Sequence, residues 1–438
     1  MYSDKKIDEY IEFVKNGDYV EDFKRLQDLA LKNDVTYDGK IVPFTYQPLL
    51  VSKRDNDAFK FIVTRTNEII RKITEKYLHD EKFRALFGFS KELEELILHD
   101  PLYEVPVAIG RYDVFFNSLS DFKFCEINTD GSSAMSEDSG LAEIFEESKI
   151  FKDLNWNLKS FELYDSWAQK SLDIYDMARG SHQGITVAIV DFKGSGTPKD
   201  FVKFKAAYEK AGLKAIIADM EDLVYDANEN ALKFDGQKID MVYRRAVTSE
   251  IMEKYDQSKA FIDAYLNDAF ISIGSFRSQI AHNKTFFEVL HREDVKDDMD
   301  IEDVMFIEEH IPFTAKFEGD DEFFKEIVRD RAKYIFKPND LRGARGVFVG
   351  SEYSEDEFRE KAKEVYNKDF IYQEYVEKKF VKFIELDEND EWHVVERANM
   401  LGLFSYNEAF KGIYGRFGID NIIGSAREYI AAPAFKYE

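Results

Sequence analysis

Residues Tyr334-Ile-Phe-Lys-Pro-Asn-Asp-Leu-Arg-Gly-Ala-Arg-Gly-Val-Phe-Val-Gly350 read as a β-strand ending in Lys337-Pro338, a loop carrying Gly343 and Gly346, and a second strand. Small residues in such a loop let backbone N–H groups approach phosphate oxygens, and a lysine from the preceding strand supplies a compact positive charge to them. A Walker loop would read G-x-x-x-x-G-K-[ST] and open a helix, and this segment does neither. An ordinary hairpin turn is the plain alternative. The Lys337-Pro338 lead-in favours a phosphate cover formed by Arg342, Gly343, Ala344, Arg345 and Gly346.

Working outward, Lys284 stands in Ala281-His-Asn-Lys-Thr-Phe-Phe287 at the entrance to an expected helix, and Phe370-Ile-Tyr-Gln-Glu-Tyr-Val376 reads as a strand. Further upstream, Val105-Pro-Val-Ala-Ile109, Tyr112-Asp-Val-Phe-Phe116 and Phe122-Lys-Phe-Cys-Glu-Ile127 alternate as short strands. They carry Arg111-Tyr-Asp113 and Glu126-Ile-Asn128. The two-residue period of a strand puts Arg111 with Asp113 on one face, and Glu126 with Asn128 on one face of the next strand. A hairpin would bring the acids and the amide together. A chance charge pair on a surface hairpin is the plain alternative.

In that order of motifs the chain resembles the ATP-grasp superfamily, and within it the circularly permuted members, especially the synthetase of the glutathionylspermidine synthase family. The resemblance covers about residues 103–376. It implies an ATP-grasp fold of α+β and α/β character whose nucleotide is held by Lys284, Lys337, the 342–346 loop and a hinge strand with Gln373, Glu374 and Val376. It also implies Mg²⁺ on Asp113, Glu126 and Asn128, hard oxygen ligands of the kind the ion prefers, and Arg111 steadying the transferred phosphoryl group. A rival metal pair, Glu396 and Asn399, is three residues apart, so a strand would point the two to opposite faces.

Residues 1–102 are expected to be mostly helical, with Ile62, Ile69, Ile70, Ile73 and Tyr77 at helical period. Residues 103–183 would begin the ATP-grasp part, with a helix from about Ser139 to Phe151. Residues 184–275 read as a Rossmann-like α/β unit, and 276–438 carry the lysines, loop and hinge. Gly194-Ser-Gly196 lacks the third glycine of a dinucleotide fingerprint and is expected to be a turn. Arg244-Arg245 follows the strand Ile239 to Tyr243, where open α/β sheets bind ligands, and is the expected seat of a substrate carboxylate or phosphate.

The chain of 438 residues is 44% hydrophobic and has a formal net charge of −26, which argues against a nucleic-acid or anionic-membrane partner. Its single cysteine, Cys125, excludes a disulfide framework. With Cys125 alternating away from Glu126, it is expected to be a small buried hydrophobe. Neither a leader nor a spanning segment is apparent, and cytoplasm is the expected compartment. The expected reaction joins a small-molecule or peptide carboxylate to an amine through an acyl phosphate. A small-molecule phosphotransferase and a non-catalytic ATP-binding module are the alternatives.

Overall fold

A computed structural model describes residues 4–33, 35–37, 40–339, 345–423 and 429–437. The N-terminal part is helical around the long helix Lys53–His79. Ser52 starts that helix through a reciprocal capping box with Asp55, and Ile62, Ile69, Ile70, Ile73 and Tyr77 form its buried stripe.

That stripe packs towards an antiparallel sheet whose strand order is Ile430–Ala432, Ala409–Gly418, Trp392–Tyr406, Ile109–Ser118, Asp121–Asn128. The strand Phe380–Leu386 pairs with the first half of Trp392–Tyr406. Segments from the first third and the last tenth of the chain therefore share one sheet. Of the run Val105 to Ile109, only Ile109 enters a strand; residues 105–108 are buried without belonging to one. Apolar alternation there reports burial and not pairing.

The helix expected from Ser139 starts earlier and is divided into Met135–Glu146 and Lys149–Leu154. Ser148 causes the break, its hydroxyl accepting from the Phe151 N–H at 3.1 Å as the cap of the second helix.

Thr186–Asp191 lies between Lys214–Asp219 and Met241–Arg244, with Ile271–Ile273 beyond, and all four strands are parallel. The run expected as one strand at Ile239–Tyr243 is interrupted at Asp240, whose carboxylate accepts from the Thr186 N–H at 3.0 Å. The Gly194–Gly196 turn is tight. At Gly196, φ is +67° and a Cβ would stand 2.4 Å from an Asp191 oxygen, so only glycine fits.

A smaller antiparallel sheet, in the order Thr314–Lys316, Phe370–Glu374, Tyr334–Pro338, Phe348–Val349, has its own core of Phe317, Phe336, Phe348, Phe358 and Tyr372. Of the strand-loop-strand expected at 334–350, the two strands are present as the Tyr334–Pro338 and Phe348–Val349 pair, and residues 340–344 lie outside the described residues.

His291, at the end of the helix Thr285–His291, lies within 3.1 Å of the Pro312 carbonyl, and burial pulls its pKa down to about 4. The folded chain thus holds it neutral, whereas the unfolded chain protonates it below about 6.5. Stability is complete above that pH and falls as pH drops towards 4, where the unfolded state binds the extra proton. Denaturant titrations of wild type and His291→Gln across this window should show wild type losing on the order of 2 kcal/mol more. Parallel curves would refute the assignment.

Candidate active site

The hairpin of 109–118 and 121–128 sets Arg111 opposite Asn128 and Asp113 opposite Glu126. The expected cluster is assembled. Asp113 is fully buried and accepts from Arg111 Nε at 2.8 Å, from a second Arg111 nitrogen at 3.0 Å and from Arg416 at 2.6 Å. Asn128 Nδ2 donates to Asp113 at 3.2 Å and to Glu126 at 3.1 Å. Both Asp113 oxygens are thereby committed to guanidinium groups. Gly402, paired with Asp113 on the neighbouring strand, makes room for this: a Cβ there would stand 2.6 Å from Arg111 Cδ.

Glu126 lines a narrow cleft with Lys284, Lys337, Phe287, Ile371 and Gln373. Burial pushes its carboxyl upwards, but Lys284, Lys337, the Asn128 hydrogen bond and Arg416 together bring it down to about 2. It is a carboxylate at neutral pH, facing two ammonium groups. Lys337 Nζ donates to Gln373 Oε1 at 2.7 Å and to the Cys125 carbonyl at 3.0 Å, crossing from the small sheet to the large one. The Lys284 N–H donates to the Asn339 carbonyl at 3.3 Å, tying the two parts at a second point.

The hinge residues divide. Gln373 is buried, with its amide also donating to Thr314 at 2.8 Å, so its side chain belongs to the cleft. Glu374 is exposed, its N–H bonded to the Phe313 carbonyl, and Val376 is partly buried beyond the strand end. Arg345 and Gly346 are exposed, whereas Arg342, Gly343 and Ala344 lie outside the described residues.

Arg244 and Arg245 are both buried beside the 129–133 loop. Arg244 pairs with Asp130 at 2.7 Å and donates to the carbonyls of Gly274 and Ala246, so its guanidinium is spent on holding the loop against the parallel strands. Arg245 donates to the Ser132 carbonyl and to the Tyr243 hydroxyl, and its Nε has no partner among the described residues.

The rival pair is not assembled. Glu396 is exposed, while Asn399 is buried and bridges the Phe116 N–H and C=O at 3.0 Å each. Cys125, expected to be buried, is half-buried and packs against the small cluster of Ala398, Met400 and Ile423, with its thiol pushed up by burial.

Two cations escaped the sequence reading. Arg416 sits in a strand of small and aromatic residues, Gly415-Arg-Phe-Gly418, where a lone buried arginine was the available signal. Lys378 follows the hinge and donates to the Asp420 carbonyl; burial lowers its pKa to about 8, the nearby Cys125, Asp420 and Glu352 opposing. Nothing local marks it.

The donor set suits the groups expected there. Glu126 offers a carboxylate in a cleft with two lysines, a hard oxygen ligand for a small divalent cation beside positive charge for phosphates, and Asn128 is bonded to that carboxylate through its amide nitrogen.

No model of a known protein family matches the sequence, and no curated protein matches it. Among solved structures, a glutathione synthetase-like effector from Globodera pallida in apo form aligns at 12% identity and TM-score 0.60, over 95% of this chain and 96% of that one. D-alanyl-alanine synthetase A from Vibrio cholerae aligns at 10% identity and TM-score 0.31, over 58% of this chain and 89% of that one. Carboxyaminoimidazole ribonucleotide synthase from Aspergillus clavatus, complexed with ATP, aligns at 9% identity and TM-score 0.27, over 58% and 71%. The end-to-end alignment with the first shows that this chain shares its fold, a mixed arrangement of helices and several sheets.

Proposed function

We propose that this chain is an ATP- and Mg²⁺-dependent ligase that joins a carboxylate to an amine through an acyl phosphate. The observation that carries the reading is Glu126, held ionised between Lys284 and Lys337 and hydrogen-bonded to Asn128 beside the Arg111–Asp113–Arg416 cluster. The order of these motifs, with the 109–128 hairpin before the lysines and in one sheet with 392–418, supports a circularly permuted ATP-grasp chain resembling the glutathionylspermidine synthase family.

A substrate carboxylate oxygen attacks the γ-phosphorus, the bond to the β-phosphate oxygen breaks, and ADP leaves. The amine nitrogen then attacks the acyl carbon, the C–O bond to phosphate breaks, phosphate leaves with the electron pair, and the nitrogen gives its proton to solvent. Glu126 and Asn128, with Asp113 behind them, would hold Mg²⁺, which neutralises phosphate charge when bound. Lys284 and Lys337 bind the phosphates, and Arg111 and Arg416 set two guanidinium charges next to the acid cluster. Of the two arginines beside the 129–133 loop, Arg245 keeps an uncommitted Nε for the substrate carboxylate, while Arg244 positions the loop.

Acids incubated with chain, ATP, magnesium and hydroxylamine should yield ADP and a hydroxamate without any natural amine, because the intermediate is electrophilic at carbon. Lys337→Met, which keeps most of the apolar stem, should abolish the hydroxamate and weaken ATP by about tenfold. Release of AMP would overturn the mechanism. A stable phosphorylated alcohol would establish a phosphotransferase instead, and ATP binding with no turnover for any acid or alcohol a non-catalytic module.

A further inference from the structure

The register of the large sheet sets Tyr414 opposite Gly402 and Gly402 opposite Asp113, so one row across three strands reads Asp113, Gly402, Tyr414. Residues paired in this way share a face of the sheet. Gly402 leaves the middle of the row without a side chain, and the stem of Arg111 occupies that space. The Arg111 guanidinium lies over the Tyr414 ring at 5.8 Å from its centre, and the Arg416 guanidinium, two residues along the same strand as Tyr414, lies over it at 5.4 Å. Both distances are within reach of a cation–π attraction.

Tyr414 is itself anchored. It is 3% exposed, and its hydroxyl donates to Glu137 in the first turn of the helix Met135–Glu146, with the Tyr429 hydroxyl 3.3 Å away. Burial, with Glu137 adding to it, raises this hydroxyl well above its ordinary range, so the group stays a donor. The helix thereby fixes where the ring stands over the sheet.

Arg111 and Arg416 both donate to the same Asp113 oxygen, and two guanidinium groups on one anion repel each other. The face of an aromatic ring attracts both. Arg111 has a further hold on the Ser133 carbonyl at 3.1 Å, whereas Arg416 Nε has no partner among the described residues. The bond to Asp113 alone would leave the plane of the Arg416 fork free to turn about it, and stacking on Tyr414 supplies the missing constraint.

We propose that Tyr414 is a positioning residue whose ring orients the Arg416 and Arg111 guanidinium groups; resting on the ligase reading above, that orientation brings their charge to the transferring phosphoryl group. The ring carries the role, and the hydroxyl, through Glu137, keeps the ring in place.

The test compares Tyr414→Leu, which removes the ring, with Tyr414→Phe, which keeps it. Both lose the bond to Glu137 and both lose stability, but a merely structural role would leave the kcat of the folded protein unchanged in each. In the hydroxamate assay Tyr414→Leu should lower kcat about 10²-fold with the ATP KM within about twofold of wild type, because Lys284 and Lys337 still hold the phosphates. Tyr414→Phe should recover about tenfold of that loss, the scale of one stacked cation. A wild-type kcat in Tyr414→Leu, or equal losses in the two variants, would overturn the proposal.

A second measurement needs neither turnover nor a folded leucine variant. Pentafluorophenylalanine at position 414 matches phenylalanine closely in shape but removes the negative ring face, so it should lower the denaturation midpoint relative to Tyr414→Phe, and lower it less in an Arg416→Met background. Equal shifts in the two backgrounds would refute the contact. The ligase reading fails separately: a fluorination effect that depends on Arg416, in a chain that forms no hydroxamate from any acid, would keep the ring's placement and remove the ligase. Hydroxamate formation that is indifferent to the ring would do the reverse.

Discussion

Glu126→Gln is expected to lower turnover by about 10²–10³-fold, the scale seen when a preorganised charge is removed from an active site. Glutamine keeps the shape and can still accept from Asn128, so the melting temperature should move by no more than a few degrees. Nucleotide affinity should stay or tighten, because Lys284 and Lys337 lose an anionic neighbour. A fall in kcat without a rise in the ATP constant is thus the signature. Wild-type magnesium-dependent rates in this variant would remove Glu126 from the metal site.

Asp113→Ala should cost about 3–5 kcal/mol of stability, the penalty for stripping the partner from a buried ion pair. Asp113 has no solvent exposure, and Arg111 and Arg416 are 9% and 8% exposed, so neither guanidinium can turn to water when the carboxylate goes. Chemical denaturation would measure the loss. Adding Arg416→Met to Asp113→Ala should restore part of it, since one of the stranded charges disappears. A cost below about 1 kcal/mol for the single variant would mean that these arginines have other partners.

The assembled part of this site was legible where its information is local. Two-residue alternation placed Arg111 with Asp113 and Glu126 with Asn128, and the hairpin register brought the pairs together. The same rule separated Glu396 from Asn399. The Lys337-Pro338 lead-in marked the strand that delivers Lys337 to the Gln373 side chain.

What stayed hidden depends on pairing between distant strands. Arg416 reaches Asp113 because Trp392–Tyr406 lies between Ala409–Gly418 and Ile109–Ser118, an order no local pattern announces. The partner of Arg244 was hidden for a related reason: its place at a strand end is local, but Asp130 lies on another segment.

The separation of 303 positions between Asp113 and Arg416 has a consequence during synthesis. At roughly 5–20 residues per second, a ribosome needs about 15–60 s to make that stretch. Throughout that interval the nascent hairpin carries Asp113 and Glu126 without Arg416 or either lysine for part of the time, and without the central strand that covers it. The 109–128 hairpin cannot reach its final burial until almost the whole chain has emerged. Until then Arg111, two residues away on the same strand, is the one guanidinium of the pair that Asp113 can meet.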